Sequence, residues 1–154
     1  MLLPDCFFYF YSLFEKIYSV KLFNNPSYIC LKLHDMKKKV VLIQENEVIL
    51  DIMDEVLEDE GFEVTPSLTT EPIENIEEID PDVVVVDDHI KGEKKGSEVI
   101  KELKSDPDTE DLSSVLTSTA HNIAQTAENC QADDYIQKPF DIDHMIDVVR
   151  KNAE

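Results

Sequence analysis

The 154-residue chain carries 34 Asp and Glu against 14 Lys and Arg, a formal net charge of -20 that repels nucleic acid and anionic membranes and favours cations and basic partners. A chain of this length supports one hydrophobic core. Cys6, Cys30 and Cys130 are too few and too scattered for a disulfide framework, and no Cys/His spacing forms a zinc motif, so a reducing compartment such as the cytoplasm is expected.

The chain changes character at Met36. Nine of the 12 aromatic residues fall in residues 1–36, where three acids balance three Lys, so the whole net charge belongs to residues 37–154. In FFYFYSLFEKIYSV, Phe7, Phe10, Phe14 and Ile17 recur at helical spacing and predict an amphipathic helix. Asp5, Glu15 and Lys16 interrupt it, so it falls short of the ~20 apolar residues of a membrane span. Without basic residues before the apolar stretch or a small-residue cleavage site after it, it does not read as a secretory signal. Residues 1–36 are read as an N-terminal extension. Met36, followed by KKKVVLI, is the favoured start, which would leave residues 1–35 outside the native protein; a membrane-surface or partner-binding helix is the alternative.

From Val40 the elements alternate. Val40 to Ile43 is an apolar run of strand length ending in Gln44, Glu45 and Asn46. Asn46 is placed to cap a helix whose Ile49, Ile52, Met53, Val56 and Leu57 recur at i, i+3, i+4, i+7 and i+8, and Gly61 ends it. Glu47, Asp51, Asp54, Glu55 and Glu58 lie on its other side as a solvated surface. Phe62 to Thr65 predicts a short strand stopped by Pro66, and residues 72–79 a weak helix with Ile73, Ile76 and Ile79 three apart. Val83 to Val86 reads as a strand buried on both faces. A basic turn with Lys91, Lys94 and Lys95 leads to a helix carrying Val99, Ile100 and Leu103, which ends before Pro107. Val115 to Ser118 is a half-polar strand, residues 122–130 a short helix, and Tyr135 and Ile136 a fifth strand. Asp141 then caps a helix with Ile142, Met145, Ile146 and Val149.

Five strands alternating with helices predict a parallel sheet with helices on both faces, because parallel neighbours need crossover connections. Strand order stays open. Three glycines leave no GxGxxG or phosphate loop, and no GxSxG elbow is present, which disfavours the common nucleotide-binding and serine-hydrolase designs.

Ligands of such sheets sit beyond the carboxyl ends of the strands. There stand Gln44, Glu45 and Asn46, then Asp87 and Asp88, then Thr119, then Lys138 and Pro139. Oxygen ligands in this number suit Mg²⁺, and a carboxylate beside such a metal is suited to accept a phosphoryl group. The Lys138 ammonium and Thr119 hydroxyl would take the remaining phosphoryl oxygens, and a cis bond before Pro139 would aim the lysine inward. The residues alone do not choose between Asp87 and Asp88, and a strand-end Asp also serves as a helix cap or turn former.

KKVVLIQEN, LEDEGFEV, PDVVVVD, TAH and above all ADDYIQKPF resemble the receiver domain of two-component response regulators over residues 37–152. The resemblance implies a flavodoxin-like, doubly wound five-stranded parallel sheet. It implies Asp87 as phosphoacceptor, Thr119 as switch hydroxyl, Tyr135 as the aromatic that changes rotamer, and Lys138 as phosphoryl contact. It implies Mg²⁺ held by Glu45, Asp87, Gln44 and the His89 backbone carbonyl, with His89 and His121 tuning hydrolysis of the aspartyl phosphate. A histidine kinase or phosphotransfer protein is the implied donor. Since the last predicted helix ends the chain, a stand-alone receiver acting on an unknown downstream protein is expected.

Three features depart from the family pattern. Gln44 and Glu45 stand where two adjacent acids are usual; Lys91 replaces a frequent Pro, with one extra residue before Gly96; and Thr119 lies closer to Lys138, which shortens the helix between them by about a turn. Gln44 also admits a second reading, a degenerate receiver that binds its partner without phosphorylation. A flavin-binding protein of the same fold is disfavoured, as no Ser/Thr/Gly-rich loop follows the first strand.

Overall fold

The computed structural model describes residues 37–92 and 94–154. The helix predicted around Phe7 to Ile17, together with Cys6, Cys30 and His34, lies outside the described residues. The strands are β1 (Lys39–Ile43), β2 (Glu63–Ser67), β3 (Val83–Asp87), β4 (Ser113–Ser118) and β5 (Asp134–Gln137), all parallel, in the order β2-β1-β3-β4-β5. That is the flavodoxin-like order, with its topological switch point between β1 and β3. The helices are α1 (Glu47–Asp59), α2 (Glu71–Glu74), α3 (Ile76–Ile79), α4 (Gly96–Ser105), α5 (Ile123–Cys130) and α6 (Ile142–Asn152). Among the described residues no helix is long and apolar enough to cross a membrane.

The four valines of β3 explain why the sheet is covered on both sides. Val83 and Val85 pack with α1 and α6, while Val84 and Val86 pack with α3, α4 and α5. All four are fully buried, and at about 2 kcal/mol for each buried valine the strand is anchored firmly enough to carry a carboxylate at its buried end.

Local differences from the expected elements each have a cause. Asn46 caps α1 as expected, its Oδ1 accepting from the N–H groups of Val48 and Ile49. The buried stripe of α1 is Leu50, Met53 and Leu57, whereas Ile52 is 44% exposed, because the helix is rolled so that Ile49 and Ile52 face the strand ends. Pro66 lies inside β2 rather than ending it. The N–H of Glu63 and the carbonyl of Ser67 point at β1, so Pro66 faces outward on an edge strand, where its missing N–H costs nothing. The weak helix over 72–79 is split at Asn75 into α2 and α3, and of its three isoleucines only Ile76 is fully buried. Asp141 sits at the N-cap position of α6 without a side-chain capping bond. β4 starts at Ser113, earlier than its apolar residues suggest, because Ser114 is buried against the Asp133 carboxylate.

Candidate functional site

The site is built where β1, β3, β4 and β5 end. Gln44 remains tied to the sheet, its N–H donating to the Ser67 carbonyl at 3.1 Å, and its side chain is fully buried. Glu45, one residue later, is exposed. β3 ends on Asp87, which is 5% exposed and stands in register with Thr117 of β4.

Asp87 and Asp88 have different duties. The Asp88 N–H continues the sheet to the Thr117 carbonyl at 2.8 Å, and its Oδ1 accepts from the Ser97 N–H at 3.0 Å in the first turn of α4. Its carboxylate is thereby committed to a helix N-terminus. Asp87 faces the opposite way, into the cleft. Gly96 makes this packing possible: a Cβ at that position would lie 2.1 Å from the Asp87 carbonyl oxygen, so only glycine lets α4 begin so close behind β3.

Lys138 follows β5, its N–H bonded to the Ser118 carbonyl at 2.8 Å and its bond to Pro139 cis. Its Nζ donates to Asp87 Oδ2 at 2.5 Å and to Gln44 Oε1 at 2.7 Å. Asp87 Oδ1 accepts from the His89 N–H at 3.2 Å. Gln44 Nε2 donates to Thr117 Oγ1 at 3.1 Å.

Asp87, Lys138, Glu45, His89 and Thr119 line one cleft of about 650 Å³, whose other wall is apolar and includes Ile49, Ile52, Met53, Phe140 and Ile142. Five of the expected residues are therefore brought together. Gln44, expected among the metal ligands, turns its amide inward, and its oxygen is occupied by the Lys138 ammonium. Tyr135, 39% exposed, and His121, also exposed, are not in the cleft lining. Thr117 and Gly96 are structural parts of the site that sequence reasoning missed. For Thr117 the available signal was its polar side chain inside the predicted Val115 to Ser118 strand, where a buried hydroxyl needs a partner.

The donor set suits a hard cation of modest demands. Glu45 and Asp87 present two carboxylates to the cleft, and Mg²⁺ takes one or two carboxylates with waters completing its shell. Among the described residues no group of three or more His, Cys, Asp or Glu side chains converges as a fuller metal cage.

The response regulator receiver domain model matches residues 40–150. Similar solved structures include a candidate response regulator from Chloroflexus aurantiacus J-10-fl, at 19% identity and TM-score 0.72, covering 77% of this chain and 98% of that one. A CheY-like receiver domain protein from Methanospirillum hungatei JF-1 is 20% identical, with TM-score 0.68 and coverage of 77% and 94%. NtrX from Brucella abortus is 26% identical with TM-score 0.67, and there the match covers 77% of this chain but 27% of that longer one. The two structures below 25% identity speak for the fold, and the family match spans all five strands but for Lys39 at the start of β1, and every residue that lines the cleft. The chain thus belongs to the receiver-domain family of response regulators, the proteins of two-component signalling.

Proposed function

We propose that the chain accepts a phosphoryl group on Asp87 from a phosphohistidine of a histidine kinase or phosphotransfer protein. The observation that carries this reading is the division of labour between adjacent aspartates: Asp88 is spent on capping α4, while Asp87 is presented to the cleft with Lys138 bound to it. An Asp87 carboxylate oxygen forms the O–P bond as the donor's N–P bond breaks, and the electron pair leaves on the imidazole nitrogen. Lys138 stays protonated and turns its hydrogen bond toward the phosphoryl oxygens, the Thr119 hydroxyl donates to another, and the His89 N–H continues to hold Asp87. Mg²⁺ held by Glu45, Asp87 and the His89 carbonyl would neutralise charge on the transferring oxygens.

The signal then leaves by protein contact. Thr119 drawn toward the phosphoryl group would free space for Tyr135 to turn inward, repacking the surface of α5 and β5 for an unknown downstream protein. In this reading residues 37–152 are the receiver, residues 1–36 an extension, and the protein works in the cytoplasm without nucleic acid, with His89 and His121 tuning hydrolysis. The inward-turned Gln44 favours a second reading, a degenerate receiver that binds without phosphorylation. Intact mass of the full chain after acetyl phosphate treatment, with and without Mg²⁺ and beside Asp87→Ala, decides between them. A Mg²⁺-dependent gain of one phosphoryl group, lost in the variant, is expected; no gain on folded protein selects the second reading.

A further inference from the structure

The proposed transfer gives Gln44 no task, yet both ends of its amide are used. Its Oε1 accepts from Lys138 Nζ at 2.7 Å and its Nε2 donates to Thr117 Oγ1 at 3.1 Å. Gln44 and Thr117 are both fully buried. The ammonium, a donor only, fixes which way the amide faces, since a flipped Gln44 would aim an NH₂ donor at it; the Thr117 hydroxyl, able to donate or accept, anchors the other end. A buried polar pair holds a geometry when every member is satisfied, and here every member is.

Charge is the second half of the observation. Lys138 has one anionic partner, Asp87, and one neutral partner, Gln44. The inner pair is therefore neutral, and Glu45 alone adds negative charge to the cleft lining. A carboxylate at position 44 would make the floor one charge more negative, drawing a divalent cation in and competing with Asp87 for the ammonium.

We propose that Gln44 and Thr117 form a neutral clamp, in which the Thr117 hydroxyl anchors the Gln44 amide, the amide oxygen positions the Lys138 ammonium on Asp87, and the missing charge keeps cation affinity low. Its consequence for phosphoryl transfer rests on Asp87 being the acceptor.

The test is a Mg²⁺ titration of the full chain followed by amide NMR, with Gln44→Glu as the probe. Glutamate keeps the side-chain length and the oxygen that faces Lys138, and Thr117 donates its hydroxyl proton to the new carboxylate. The Kd for Mg²⁺ is expected to fall about tenfold or more; an unchanged Kd overturns the proposal. The second probe is Thr117→Val, read through the Lys138 ammonium signal. In the wild type that signal is expected to be resolved by slow proton exchange, to vanish in Thr117→Val and to return in Thr117→Ser. A signal that survives in folded Thr117→Val also overturns the clamp, and if that variant does not fold, the Gln44→Glu titration decides. Phosphoryl uptake by the wild type is scored separately. No uptake with both signatures present removes the acceptor reading and leaves the clamp, whereas uptake with neither signature removes the clamp and leaves the acceptor.

Discussion

Strand β4 has a lysine–aspartate pair at each end. At its foot, Lys104 Nζ lies 2.8 Å from Asp133 Oδ2, which also accepts from the Ser114 N–H at 2.8 Å and its hydroxyl at 3.2 Å. At its head, Lys138 bonds Asp87, whose carboxylate has one further hydrogen-bond partner among the described residues, the His89 N–H. The foot carboxylate is 40% exposed and has three donors; the head carboxylate is 7% exposed and has two. A carboxylate offers about four lone-pair sites. The better buried of the two is thus the less satisfied, with accepting capacity left on the side of an open cleft. In the proposed reading, what sets the head pair apart is therefore not its depth of burial but the accepting capacity that Asp87 keeps on the cleft side.

The largest break in this comparison is expected from the lysines. Lys138→Met should slow phosphoryl uptake from acetyl phosphate by about 10²-fold, the loss typical of one preorganised donor. Lys104→Met should leave the rate per folded molecule unchanged and lower the midpoint of urea unfolding instead. Rate and unfolding measured on the same two variants would show whether the ends of β4 divide the work in this way; equal rate losses would erase the distinction.

Next in size is the foot carboxylate itself. Asp133→Ala leaves the Ser114 N–H without its acceptor and Lys104 without its anion, and should cost about 1–2 kcal/mol after allowance for the exposure of Asp133. Burial pushes the Asp133 carboxyl up, but the hydrogen bonds from Lys104 and Ser114 outweigh it and hold the group below the usual carboxylate value of 3.8. The folded pKa being the lower one, this stability is fully present above 3.8 and is lost as pH falls through the depressed value. The gap in unfolding free energy between wild type and Asp133→Ala should therefore be flat from neutral pH down to about pH 5 and close below 3.8. A gap that stays open in strong acid would mean that packing, rather than charge, supplies it.

Legibility in the sequence followed the range of the interaction. Val83 to Val86 announced a doubly covered strand because each residue's environment follows from its own chemistry, and Asn46 and Gly61 marked the ends of α1 for the same reason. Lys138 and Thr119 were legible as strand-end groups. So was Gln44, but its inward turn was not, since that depends on Thr117, 73 residues away and two strands over in the sheet. Ser114 lies outside the strand that the sequence predicts from Val115, because its partner Asp133 is 19 residues on, and the choice between Asp87 and Asp88 needed the start of α4. Side-chain type and period fix elements; which polar groups become partners is set by register across non-neighbouring strands.

The smallest effect belongs to a carboxylate with no lysine at all. Asp54, on the outer side of α1, has a buried Oδ1 without a hydrogen-bond partner among the described residues. Burial raises its pKa, and Glu58 and Asp51, one helical turn to either side, raise it further. The sign is opposite to that of Asp133: the ionised form is the disfavoured one, so the penalty is present above the raised folded pKa and disappears as pH falls toward 3.8. Asp54→Asn removes the charge and relieves two like-charge neighbours, and should stabilise the protein by about 0.5 kcal/mol at neutral pH. Urea unfolding at neutral pH and near pH 4 is the check: a gain that fades in acid is expected. A loss of stability at neutral pH would mean that the Asp54 carboxylate has a stabilising partner, and that even without a lysine it belongs with the satisfied foot of β4.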